Sequence, residues 1–295
     1  CLGREVLIGT LSVATLLHAK ADGAGVRPLP ADTAAARTDR ELTLREVSVT
    51  GSRAPLAQSQ SARMVTVLDR SDIQAAPVQS VNDLLKYVAS ADVRQRGPIG
   101  AQTDVSIRGG NYEQVAILLN GISICDPQTG HNAFDFPVDL GEIERIEVLE
   151  GPAGRVYGTS SLLGAINIVT LTPQKTSATA HAEGGSYGYL SAGARANVAA
   201  GAWNNQLSAS YTRSDGYSRN KAGRLNADYK GGKAFSQGNY NDADIMVKWH
   251  AGLSVKDFGS NTFYGAKWDD QFEHTLKTYT AIQAESKGGR FHLRP

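Results

Sequence analysis

Cysteine is nearly absent from this 295-residue chain: Cys1 and Cys125 are the only two, so no disulfide framework braces it. Nowhere is there an apolar run of about 18 residues, which excludes a membrane-spanning helix. A β-barrel stays open, because its lipid face uses only alternate residues. Charge of one sign is also missing: Lys+Arg 30 against Asp+Glu 29 gives a formal net charge of +1, so no global field argues for nucleic acid. Catalytic signatures are as sparse. Cys125 and His131 lie close in sequence, but a loop cysteine is a poor nucleophile candidate. Asp126 and His131 are too few for a metal site. No covalent chemistry and no cofactor is expected. What is plentiful is Gly (31) and Tyr (11), with mean hydropathy slightly negative at -0.28.

The first residues have the pattern of an export signal. Arg4 supplies positive charge, residues 6–17 are an apolar core, and Ala19-Lys20-Ala21 is a small-residue cleavage site. The reading is a signal peptide over 1–21. The chain starts with Cys rather than Met, so a start lying upstream is expected. Residues 22–44, rich in Ala, Asp, Arg and Pro, read as a flexible linker.

From Glu46 the chain turns β-prone. Glu46-Val47-Ser48-Val49-Thr50 is a short extended run ahead of Gly51, readable as an ordinary first strand. Residues 63–68 alternate as a strand. Ser71-Asp72 is expected to cap a short helical turn ending before Pro77. Ser80-Val-Asn-Asp83 is a capping box opening a helix to about Ser90, with Leu84, Leu85 and Val88 on one face. Strands follow at 92–95 and 103–108. A hairpin covers 114–119 and 122–125, its Asn120-Gly121 turn supplying the positive φ of a type I′ turn. Two more strands lie at 143–150 and 164–170. Residues 45–172 thus make a compact α+β domain.

The texture changes over 173–295. Leu190, Ala192, Ala194, Ala196 and Val198 alternate with Ser191, Gly193, Arg195 and Asn197. Leu207, Ala209 and Tyr211 alternate with serines, and Ile245, Val247 and Trp249 with Asp244, Met246 and Lys248. Segments near 261–268 and 271–284 are β-prone with a blurred period. Strands of about ten residues, apolar out and polar in, are the signature of a transmembrane barrel, although a soluble antiparallel sheet alternates in the same way. Trp203, Tyr211, Trp249 and Trp268 are candidates for the membrane interfaces.

In order and spacing, Asp104-Val-Ser-Ile-Arg-Gly-Gly110, Val115 to Ser123, Ile143 to Pro152, Val156-Tyr-Gly158 and Gly164 to Thr170 resemble the plug of TonB-dependent outer-membrane receptors, the cobalamin-receptor-like members in particular. The resemblance implies an α+β plug followed by the start of a transmembrane antiparallel β-barrel, of about 22 strands if complete. Five or six strands precede Pro295, so the sequence is expected to be a fragment or the product of a broken gene. Glu46–Thr50 then becomes a TonB box, an extended segment to which the TonB C-terminal domain adds a strand, with ExbB and ExbD supplying work from the proton gradient. Asn111, Tyr112, Asp126, Gln128, His131 and Asn132 are implied to face the ligand from the outer loops. Arg108, Glu144, Arg145, Glu147 and Glu150 are implied to form ion pairs between plug and barrel wall; the plainer alternative is a solvated charged face. The implied ligand is a corrinoid such as cobalamin, with a ferric siderophore or haem as the alternative. Outer-membrane lipid and a surface lipoprotein complete the implied partners. A solitary plug acting as a periplasmic interaction module is the reading from a different class. The chain departs from the family at Glu150, where Arg is frequent before Gly-Pro, and at Leu163-Gly164-Ala165, where Gly-Gly-Val is usual.

Overall fold

The structure, a computed structural model, describes residues 48–49, 56–57, 64–95, 102–125, 135–152, 161–216, 227–259, 272–287 and 292–293. The expected export signal and linker lie outside these residues, as do Glu46, Val47, Thr50, Asp126, Gln128, His131, Asn132, Trp268 and the 261–268 segment.

Two short strands come first: β1 (Ser48–Val49) pairs antiparallel with β2 (Leu56–Ala57). After β3 (Val65–Leu68), the helix α1 (Arg70–Ala75) is capped by Asp69 and not by Ser71-Asp72. The Asp69 carboxylate accepts from the N–H groups of Ser71 and Asp72, while Asp72 reaches back to the Asp69 N–H at 3.1 Å. Asp72 therefore closes the capping box from the third helical position. Ser80 caps α2 (Val81–Leu84) as expected, but the helix tightens at once into a 3₁₀ turn, Leu85–Tyr87, well short of Ser90. Leu84, Leu85 and Val88 are buried together, as their spacing requires.

Next come β4 (Ala91–Gln95) and β5 (Thr103–Ile107), which pair with each other, then β6 (Val115–Leu119), β7 (Ile122–Ser123), β8 (Ile143–Glu150) and β9 (Gly164–Thr170). The central sheet has the order β3-β8-β9-β6-β7, with β6 and β9 parallel. Asn120 (φ 52) and Gly121 (φ 81) both take the left-handed conformation that the β6–β7 turn needs. One sheet face packs Ile117, Leu119, Ile146, Ile166 and Ile168 against Ile73, Leu84, Leu85, Val105 and Ile107. The other buries Ala116, Leu118, Leu149 and Ala165, together with Glu147 and Asn167. Both faces being covered explains why β6 reads as an unbroken apolar run.

The second sheet is a wall of seven antiparallel strands in sequence order. These are β10 (Ser177–Gly184), β11 (Leu190–Ala200), β12 (Trp203–Ser214), β13 (Tyr229–Asn241), β14 (Ile245–Gly259), β15 (Phe272–Ser286) and the brief β16 (His292–Leu293). That is more strands than expected, and β14 and β15 reach 15 residues each, the length a strongly tilted strand needs to cross a bilayer and project beyond it. Short turns at 201–202 and 242–244 mark one rim, and longer connections at 215–228 and 260–271 mark the other. Exposure alternates as the sequence predicts, with apolar groups pointing outward. Leu207 is 62% exposed, while Gln206 is 2% and Ser208 7% exposed.

Candidate gating interface

The wall's polar face is turned toward the α+β domain, and the two meet along a seam built around Asp139-Leu140-Gly141-Glu142. This segment is a single 3₁₀ turn with a reciprocal capping box: the Asp139 N–H donates to Glu142 Oε2 at 3.1 Å, and the Asp139 side chain accepts from the N–H of Glu142. Arg70 stiffens it from the domain side, donating to the carbonyls of Leu140 (3.0 Å), Ile143 (2.7 Å) and Gly141 (3.3 Å). From the wall, Arg195 donates to the Gly141 carbonyl. Lys233 meets Asp139 Oδ1 at 3.1 Å and donates to the Val138 carbonyl at 3.4 Å. Ser254 donates to Asp135 Oδ1 at 2.8 Å.

Nearer the rim with the short turns, the seam is neutral. Gln237 accepts from Thr170 Oγ1 at 2.5 Å and donates to the Leu171 carbonyl at 2.5 Å and to Gln206 at 3.0 Å. Thr170 in turn is bonded to Asn120 of the hairpin turn. Behind that turn, Asn167 accepts from the Gly121 N–H at 2.8 Å and donates to the wholly buried Glu147 at 3.1 Å. A chain of hydrogen bonds therefore runs from the domain's interior to the wall.

Electrostatics differ along the seam. Burial alone would push the Asp139 carboxyl up, but Lys233 and hydrogen bonds from Ser210 and Lys233 outweigh it and hold the group below the ordinary carboxylate value. Burial dominates at Glu142 and raises its pKa, despite a hydrogen bond from Ser208. Between domain and wall lies a cavity of about 350 Å³, lined among others by Gln102, Asp135, Glu142, His181, Arg195 and Lys233. At about 30 Å³ per water, that is room for roughly ten waters.

The ion pairs expected across this seam close elsewhere. Arg108 meets Glu150 at 2.7 Å, and Arg145 meets Glu147 at 2.8 Å, so all four charges are paired inside the α+β domain. The reason is topological. Arg108, in the turn after β5, lies beside the end of β8, and Arg145 and Glu147 sit two apart on the same face of one strand. Glu144 likewise acts inward, on Arg70. Among the described residues, the ion pair that crosses to the wall is Lys233–Asp139. The sequence reading missed it, although Asp139-x-x-Glu142 ahead of a strand is a legible capping pattern.

Asn111 is exposed and Tyr112 half-buried in a 3₁₀ turn (Tyr112–Gln114), where the Asn111 N–H donates to Gln114 at 3.2 Å. Because β6 runs from this turn toward Asn120, which is linked through Thr170 to the short-turn end of the wall, Asn111 and Tyr112 lie at the opposite end of the domain, toward the long connections. The turn is tight: a Cβ on Gly110 would stand 1.6 Å from Leu163 Cδ1. Cys125 is half-buried, and its Sγ accepts from the Ile117 N–H at 3.3 Å, a packing role.

Residues 57–165 match the family described as TonB-dependent Receptor Plug Domain. Over 130 residues, 44% of this chain, the sequence is 34% identical to the Vitamin B12 transporter BtuB of Vibrio vulnificus, a stretch that spans 21% of that relative's length. Among solved structures, the ferric yersiniabactin uptake receptor FyuA of Yersinia pestis superposes with a TM-score of 0.60 at 16% identity, covering 76% of this chain and 38% of that one. The siderophore receptor PirA of Acinetobacter baumannii gives 0.59 at 19%, covering 78% and 38%. Those identities speak to the fold alone. Residues 57–165 thus carry the plug domain of TonB-dependent receptors, and the described chain has the fold of such a plug followed by strands of a β-barrel, spanning about a fifth of the length of the curated relative it matches.

Proposed function

We propose that the chain belongs to a receptor that takes up a scarce, large nutrient across the outer membrane, with the plug as its gate. The observation that carries this is the seam. A plug held to the wall by the Lys233–Asp139 pair, the Asp135–Ser254 bond and the Gln237 clamp is fastened by individually modest polar contacts. In this reading residues 1–21 direct export, 22–44 form a linker, 45–172 carry the TonB box and plug, and 173–295 begin the barrel.

Glu46–Thr50 serves as the TonB box. Ser48 and Val49 are already extended and paired with Ala57 and Leu56, the backbone state in which a partner strand is added. Ligand binds at the outer plug turn with Asn111 and Tyr112, and at the 126–132 loop. TonB, driven by ExbB and ExbD, then pulls the plug out of register with the wall. The ligand is a corrinoid such as cobalamin; the support is the 34% identity to a vitamin B12 transporter. A ferric chelate is the second reading, since FyuA and PirA share the fold.

Labelled cobalamin should bind outer membranes from cells making the full-length receptor, and unlabelled cobalamin should displace it while ferric siderophores do not. Displacement by a ferric chelate, with none by cobalamin, would transfer the ligand assignment to the second reading.

A further inference from the structure

The chain enters the plug sheet by an edge strand. β3 is paired on one side alone, from Val65 opposite Leu149 to Leu68 opposite Ile146. Its direction matters. β8 leads from Ile143, beside Thr170 near the short-turn rim, to Glu150 at the opposite end, and β3 is antiparallel to it. Val65 is therefore the end of β3 farthest from the short-turn rim, which faces the periplasm in a barrel of this kind. A pull toward that rim on the chain ahead of Val65 folds β3 back on itself. It loads the ladder one hydrogen bond at a time, each resisting with about 1 kcal/mol. A strand loaded this way peels.

Peeling meets a different attachment at the next residues. Asp69 and Asp72 are each bonded to the other's backbone N–H, so the first turn of α1 follows β3 without slack. Ile73 anchors the helix in the apolar cluster, while Ser71, Asp72, Gln74 and Ala75 are exposed. Arg70 is the second anchor. Its guanidinium spans the carbonyls of Leu140, Gly141 and Ile143, which lie 70 to 73 residues away in sequence. One side chain thus grips the whole Asp139–Glu142 turn, as a planar fork of five donors can.

Gly141 is where the two sides meet, since its carbonyl also accepts from Arg195 of the wall. Burial and the Arg195 charge both disfavour a protonated Arg70, and Glu144 offsets them. Two guanidiniums sharing one carbonyl repel each other. The attraction that keeps the turn against the wall is the Lys233–Asp139 pair at 3.1 Å.

On the reading of Glu46–Thr50 as a TonB box, we infer that Arg70 transmits the pull on the entry chain to the seam. β3 peels as far as Asp69. Arg70 then draws the Asp139–Glu142 turn along with α1, and the Lys233–Asp139 pair breaks because Asp139 is carried away from the wall. Arg70 is a positioning residue: it decides which contact the pull reaches. Without it, the helix comes away and leaves the turn on the wall.

The full-length receptor in outer-membrane patches would be held at constant force by a tip carrying the TonB C-terminal domain, and the time before the plug yields recorded. Lys233→Gln should shorten that time about fivefold, the rate equivalent of one partly exposed ion pair. Arg70→Gln should shorten it too, and in that background Lys233→Gln should change nothing. Urea, which loads the plug from no direction, is the control. There Lys233→Gln should lower the midpoint of plug release equally with Arg70 present or replaced, because the Asp139–Glu142 capping box holds the turn's shape by itself. Gln74→Ala, exposed on the same helix, should leave the fivefold effect under load intact. Arg70→Lys is the milder second variant, and should uncouple the pair as Arg70→Gln does. A fivefold effect of Lys233→Gln that persists under load in both Arg70 variants would overturn the link. So would its loss in urea as well, which would make Arg70 a mere prop of the turn. A wild-type receptor that the TonB domain fails to capture would instead refute the TonB-box reading beneath it.

Discussion

Val115–Leu119 of the plug and Trp203–Ser214 of the wall are both β-strands, yet their side chains solve opposite problems. Every residue of the plug strand is buried, and its neighbours on both faces are apolar or internally hydrogen-bonded. On the wall strand, exposed Leu207 and Tyr211 alternate with buried Gln206 and Ser208. The plug strand keeps water out on both sides. The wall strand separates two solvents, lipid outside and a wet lumen inside, and gives each the surface it prefers. Burial of apolar groups therefore stabilises the plug from within, whereas the wall holds the plug by polar contacts and by Phe235 and Tyr279, which pack against the plug's apolar cluster.

The greatest effect is expected where that rule is broken in the plug. Glu147→Ala removes the buried partner of Arg145 and the hydrogen bond that Asn167 donates to Glu147, at a cost of about 3–5 kcal/mol. Hydrogen exchange should then rise at the amides of 117–119 and 166–168. Breaking the rule on the lipid face is expected to cost less: Leu207→Arg, about 2–4 kcal/mol near mid-membrane, read as a lower temperature for loss of the folded band on gels. The same substitution at Ser208, which faces the lumen, should crowd the seam and affect uptake more than barrel stability. Lys233→Gln removes the ion pair across the seam, with both side chains about a third exposed. The expected cost is about 1 kcal/mol, with the plug released at a lower urea concentration.

The smallest effect is in pH. Asp139, with its pKa held below the ordinary carboxylate value, contributes stability that is complete above that value and is lost as pH falls through its lowered one. Glu142, with a raised pKa, contributes in the opposite sense: fully present below its ordinary value and lost as pH rises through the raised one. Plug retention should therefore weaken on strong acidification in the wild type. In Lys233→Gln that acid-dependent loss should shrink or disappear, because the cation that lowers the Asp139 pKa is gone and burial, which raises it, is left less opposed.

Much of this comparison was legible in the sequence. Strands 143–150 and 164–170 fall where the apolar runs placed them, and Asn120-Gly121 dictates its turn by backbone stereochemistry alone. Wall strands could be read from their alternation, because one face of each meets lipid. The seam could not. Lys233 and Asp139 are far apart in the chain and carry no local pattern that couples them; only the packing of the wall against the plug brings them to 3.1 Å. Arg108 and Glu150 were visible as charges, but whether they pair inward or outward depends on where the β5 turn lands. The Asp69 cap was missed for a smaller reason: two adjacent candidates, Ser71 and Asp72, mask a cap one turn position earlier.

In the proposed function the plug must move against the wall for a nutrient to pass. Asp135 and Ser254 touch across the seam at 2.8 Å, so Asp135→Cys/Ser254→Cys in a Cys125→Ser background of the full-length receptor allows a disulfide to fasten plug to wall. Cobalamin binding and cobalamin uptake would be measured in oxidised cells and after reduction. Oxidation should abolish uptake and leave binding intact, and reductant should restore uptake. Uptake at the wild-type rate with the disulfide formed would contradict a plug that must move.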